Sequence, residues 1–158
     1  MQNKMMVVSD ADITSSCRCR VKPGEYMLLP RANRVEHQLP HFSGVDAQVL
    51  TTPQINAQFV EHELLVQPNG GTAKPKTESL EQFFFILEGE IDFELDGKKQ
   101  KMVEGGFCWL PPQQTFQFIN KGESLSRIAW VRRPYKEVDG IPVPDPIIAN
   151  EKDVPAEP

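Results

Sequence analysis

Residues 91–103 read IDFELDGKKQKMV. Ile91, Phe93 and Leu95 alternate with Asp92 and Glu94, which is the period of a strand with one buried face. Asp96-Gly97 follows at once, a pair favoured in tight hairpins whose two turn residues take φ > 0. Lys98–Val103 then returns as the second strand. Outward from this hairpin the same reading repeats. Phe59–Val66 alternates, Phe83–Leu87 is an apolar run of strand length, and Phe107–Leu110, Thr115–Ile119 and Leu125–Val131 are further short strands. Turn signals separate them: Pro68-Asn69-Gly70-Gly71, Gly105-Gly106, Pro111-Pro112 and Lys121-Gly122. No amphipathic helix of a dozen residues is visible. Short strands at this spacing predict an all-β sandwich or barrel.

Composition sets the outer limits. The 158 residues suit one domain, and 39% hydrophobic content is enough for a real core. Seventeen Lys and Arg stand against 22 Asp and Glu, a formal charge of −5 with no basic block. That argues against a nucleic-acid partner. No apolar run reaches the length of a membrane helix, and the start MQNKMMVVSD lacks the apolar stretch of a secretion signal. The expectation is a cytoplasmic protein with no membrane partner. Cys17, Cys19 and Cys108 are odd in number, which fits a reducing compartment better than a disulfide framework. Two thiolates in a C-x-C pair do not complete a zinc site.

Proline divides the chain. Six of the 14 prolines (Pro134, Pro142, Pro144, Pro146, Pro155 and Pro158) fall in the last 25 residues. The expected organisation is a loosely ordered segment at 1–18, a β domain at 19–135, and a Pro-rich linker or tail at 136–158.

Two ordered segments carry a resemblance. GGTAKPKTESLEQFFFILEGEIDF (Gly70–Phe93) and GGFCWLPPQQTFQFIN (Gly105–Asn120) resemble the two motifs of the cupin superfamily, a small jelly-roll barrel. In that family an H-x-H pair and a glutamate in the first motif, with a histidine in the second, hold a metal inside the barrel. Gly89 matches the glycine that closes the first motif. Seven places back, Gln82 stands where the glutamate belongs, beside Glu81. The H-x-H pair falls on Lys76 and Glu78, or on Pro75 and Thr77. In the second motif Gly106, Pro112 and Asn120 match, Gln114 replaces a glycine, and Gln117 replaces the histidine. A catalytic first-row metal needs about three imidazole, carboxylate or thiolate ligands. Two glutamines, a glutamate and a lysine do not supply them, so the expectation is a metal-free barrel.

Such an interior can still hold a small polar ligand, since Gln82 and Gln117 both donate and accept. The alternative is that these amides satisfy each other in a filled core. The pocket candidates are Glu78, Gln82, Phe84, Gln117 and His62. No catalytic residue is assigned.

A narrower resemblance covers about Val45 to Ile141. TTPQINAQFVEHELLVQPNGG, EQFFFILEGEI, EGGFCWLPP and Arg132-Arg133-Pro134-Tyr135 are similar to the N-terminal half of the (S)-ureidoglycine aminohydrolases. The resemblance implies purine breakdown by the allantoin route, with conversion of ureidoglycine to ureidoglycolate and ammonia. It implies two barrels per protein, with manganese and the catalytic residues in the second. The sequence reaches its Pro-rich stretch where that barrel would begin. The expectation is therefore a half that is inactive alone and needs a second cupin on a longer or separate chain. The other reading is a stand-alone ligand-binding or dimerising module. A homodimer is expected in either case.

The remaining candidates have bland readings. His37 and His41 flank Pro40, which disfavours a shared helix face, so they are expected to be solvated loop histidines. His62 alternates with Val60, Leu64 and Val66 and is expected to be a hydrogen-bonded core histidine. Glu61 and Glu63 share the other face, expected to be the strand's wet side. Cys108 reads as a buried, inert thiol. Phe83, Phe84 and Phe85 cannot all face one side, so some must pack beneath a covering segment or against another subunit.

Overall fold

The computed structural model describes residues 19–156. The loosely ordered segment expected at 1–18, including Cys17, lies outside the described residues. An outer hairpin, β1 (Arg20–Lys22) and β2 (Tyr26–Leu28), precedes the barrel. The barrel strands are β3 (Glu36–Gln38), β4 (Phe42–Thr51), β5 (Val60–Thr72), β6 (Lys76–Thr77), β7 (Glu81–Glu88), β8 (Glu90–Leu95), β9 (Lys98–Val103), β10 (Gly106–Leu110), β11 (Thr115–Ile119), β12 (Ser126–Arg133) and β13 (Ile147–Asn150).

All pairings are antiparallel. One path runs β13-β10-β7-β12-β5-β11-β8-β9; β4 also pairs β5, β3 pairs β4, and β6 pairs β11. This is a nearly closed single jelly-roll barrel, as the strand pattern predicts. The β8–β9 turn takes the expected form, with Asp96 at φ 46° and Gly97 at φ 82°.

Two readings change. Pro68–Gly71 was expected as a turn but lies inside β5, which runs on to Thr72. There Gly70 and Gly71 let three strands pass closely. A Cβ on Gly70 would lie 2.2 Å from the Gly44 carbonyl oxygen, and one on Gly71 would lie 2.0 Å from that of Phe118. The second change concerns the tail. Ile147–Asn150 pairs with Gly106–Trp109 and covers an edge that β10 would otherwise expose. No periodic pattern marks it, because the strand is only four residues long, follows a proline-rich stretch and has no alternating buried face.

The interior is aromatic. Phe84, Phe93, Phe116, Phe118 and Trp130 are all at most 2% exposed, joined by Leu64, Ile86, Ile91 and Ile128. Phe84 stacks on Trp130 at 5.7 Å and 16° between planes. Phe93 lies parallel to Phe116 at 6.0 Å. Of the three consecutive phenylalanines, Phe84 points in while Phe83 and Phe85 lie half-buried outside; Phe83 stacks on Phe107.

Glu63 corrects the expectation of a wet face. It is 4% exposed and pairs with Arg34 and Arg127, whose side chains reach across the outside of β5. Alternation identifies the face opposite the core, but not what covers it.

Candidate functional site

The antiparallel registers order the inward residues into tiers along the barrel. Ser126 faces Val66 at one end, Ile128 faces Leu64, Trp130 faces His62, and Arg132 faces Val60 and Gln82 at the other. That last tier opens to solvent. A cavity of about 490 Å³ lies there, lined by Phe42, Lys76, Glu78, Trp130, Arg132 and neighbouring loop residues. A larger hollow of about 720 Å³ sits under the β1–β2 hairpin, outside the barrel, and its basic side chains Lys22, Arg34 and Arg133 are already paired with Glu25, Glu63 and Glu81.

Lys76 and Arg132 dominate the mouth. Lys76 Nζ lies 5.1 Å from the ring centres of both Phe42 and Trp130. The Arg132 guanidinium covers Trp130 at 3.8 Å. These are cation–π distances. Glu78 is the carboxylate between them, paired with Lys76 and 3.5 Å from Arg132 Nη1. Arg132 Nε is buried without a hydrogen-bond partner.

The pocket candidates separate. Glu78 lines the cavity. Gln82 is 2% exposed, and its Oε1 accepts the Trp130 indole hydrogen at 3.0 Å. Phe84 is core beneath Trp130 and does not line the opening. Gln117 lies on the opposite face of its strand from the core: Phe116 and Phe118 point inward, while Gln117 Nε2 donates to Glu94 Oε2 at 2.6 Å on the outside. Counting the second motif forward from Gly106 puts the reading one residue out, and in a strand one residue reverses the facing. The two amides therefore do not satisfy each other.

His62 is inward and buried as expected, but its Nδ1 has no hydrogen-bond partner, which corrects the expectation of a bonded core histidine. Its ring lies 5.7 Å from Trp130 and 5.8 Å from His37. Burial, with the nearby charges of Arg132, His37 and Lys76, lowers its pKa to about 4. His62 is thus neutral at pH 7. His37 lies on β3, not in a loop, and His41 stands in the turn after it at φ 71°. Cys108 is fully buried and burial raises its pKa, consistent with an inert thiol. Cys19 is exposed. Sequence reasoning did not select His37 or Arg132, since neither falls on a family ligand position.

The donor set does not suit a divalent cation. Among the described residues no group of three His, Cys, Asp or Glu side chains could hold one. Lys76 and Arg132 would repel it, the Gln82 oxygen is occupied by an indole hydrogen, and Phe116 and Phe118 occupy the inward positions of the second-motif strand.

Fold and site together define a cupin, and residues 62–132 match a cupin domain family. The chain has the cupin fold and is similar to (S)-ureidoglycine aminohydrolase. It is 32% identical over 124 residues to the Escherichia coli K12 protein of that name. That match takes in 78% of this chain and 48% of the relative, so the chain spans about half the length of the relative. The crystal structure of protein Ylba from E. coli superposes with a TM-score of 0.83 at 29% identity, over 93% of this chain and 60% of that one. The putative glyoxylate induced protein from Pseudomonas aeruginosa gives 0.70 at 29% identity, over 77% and 46%. No helix among the described residues is long and apolar enough to cross a membrane.

Proposed function

We propose that this chain is the non-catalytic barrel of a ureidoglycine aminohydrolase-type system in purine breakdown. In this reading it binds no manganese itself, and a second cupin on a longer or separate polypeptide supplies the metal and the chemistry. The observation that carries the reading is what fills the cupin ligand positions: a lysine paired to a glutamate, a glutamine held by Trp130, and inward phenylalanines on the second-motif strand. The half-length relationship to the aminohydrolase supports it.

The outward face of β7 and β10 supports a barrel partner. Phe83, Phe85, Phe107 and Trp109 are half-buried there, more apolar than a solvated sheet face needs. The same face suits a homodimer when no second cupin is present, in the cytoplasm. Light scattering on the purified chain tests this, and a monomer at high concentration contradicts it. Activity is tested by following ammonia release from ureidoglycine. The chain alone is expected to give the blank rate, and metal-dependent turnover by it would place the site in this barrel after all.

A further inference from the structure

We propose that the barrel mouth is a binding site for a small organic monocarboxylate, held by Lys76 and Arg132. The argument begins with charge. Two half-buried basic side chains, Lys76 and Arg132, meet one carboxylate, Glu78, with a neutral His62 behind them, while Lys74 stands exposed at the rim of the same cavity. The half-buried groups of the mouth therefore carry one uncompensated positive charge, next to a cavity of about 490 Å³. Burying such a charge is unfavourable unless an anion accompanies it.

Hydrogen bonding points the same way. Arg132 spends Nη1 on Glu78 and keeps a buried, unpartnered Nε–H. A guanidinium edge is a planar donor that matches a carboxylate. The second orphan in the described structure, His62 Nδ1, lies one tier down against the same Trp130 ring. Arg132 lines the opening and His62 lies buried behind it, whereas no other buried side-chain N or O atom among the described residues lacks a partner.

The walls select among anions. Trp130 lies covered beneath Arg132, and Leu39, Pro40 and half-buried Phe42 form the apolar wall of the cavity, so the body of the ligand meets that wall while its charged end meets the cations. One surplus positive charge neutralises a monocarboxylate. The second charge of a phosphate dianion would sit beside Glu78 and the apolar wall, with only the exposed, solvated Lys74 at the rim to answer it.

This site stands whether or not the chain partners a catalytic barrel, so it is measured on this chain alone and not through ammonia release. The probes are acetate, ureidoacetate, the neutral amide of ureidoacetate, and inorganic phosphate, by calorimetric titration and proton–nitrogen NMR. At least one carboxylate is expected to bind saturably at one site per chain, with the amide and phosphate weaker by about tenfold or more. In the unmodified protein the Trp130 indole N–H signal should move on titration while the Trp109 indole, outside the barrel, stays put. Lys76→Met and Arg132→Met should each weaken binding by about tenfold or more. Binding by neither carboxylate would overturn the proposal. So would equal binding of the amide, movement of Trp109 with Trp130 unmoved, or unchanged affinity in a variant whose circular dichroism is native. If Arg132→Met fails to fold, Lys76→Met and the indole signals decide the outcome.

Discussion

The two ends of the barrel treat buried polar groups in opposite ways. At the Ser126 end no buried side-chain N or O atom among the described residues lacks a partner. Asn120 Nδ2 donates to Val66 O at 2.9 Å and Ser124 O at 2.8 Å, while its Oδ1 accepts from Gly122 N. Ser126 Oγ accepts from Glu90 N and donates to Glu90 O. At the Arg132 end, His62 Nδ1 and Arg132 Nε are buried without partners. Native folds rarely leave such groups unpaired. The difference separates structure from function: polar residues at one end tie strands together, and those at the other end are left to meet something else.

The comparison can be broken at several points. The largest expected effect comes from the aromatic floor that both ends share. Phe84→Ala removes the ring stacked under Trp130 and should cost about 3–5 kcal/mol in urea denaturation. A cost near zero would mean that the interior is not packed as described. Next comes the satisfied end. Asn120→Ala strands two carbonyls and one backbone N–H, and should cost about 2 kcal/mol in the same measurement.

The mouth has its own signature, in pH. The folded pKa of His62 is about 4 against an ordinary 6.5. As pH falls from 6.5 towards 4 the unfolded chain takes up a proton that the folded chain refuses, so stability falls with acidification in that window. The groups facing His62 are Arg132 on β12, Lys76 on β6 and His37 on β3. The loss should be on the order of 1 kcal/mol once solvent at the open end is allowed for. It should be absent from the difference between unmodified protein and His62→Leu if the imidazole titrates normally. The smallest effect is predicted for Gln117→Ala. Its side chain lies outside the barrel, so stability should change by less than about 0.5 kcal/mol, and carboxylate binding at the mouth should not change. An effect on binding would return Gln117 to the interior.

Much of the fold was legible in the sequence, and the reason is physical. The alternation in Ile91–Leu95, the Asp96-Gly97 turn and the apolar Phe83–Leu87 are local signals, and each produced the element it predicted. β4 and β13 were missed because Phe42–Thr51 and Ile147–Asn150 are defined by what they pair with rather than by their own pattern. The site was legible only in part. Lys76, Glu78 and Gln82 were found by motif spacing and do gather near the mouth. Arg132, His37 and the burial of Glu63 depend on neighbours far away in the chain, which no local period encodes. Gln117 shows the limit of spacing, since a count wrong by one residue puts a side chain on the wrong side of a sheet.

The central claim is that the mouth of this cupin repels a metal ion and attracts an anion. Its most direct test is anomalous diffraction from crystals grown with excess manganese. The account predicts no manganese peak among Lys76, Glu78, Gln82 and Arg132. A strong peak there, within bonding distance of Glu78 or Gln82 oxygens, would contradict it.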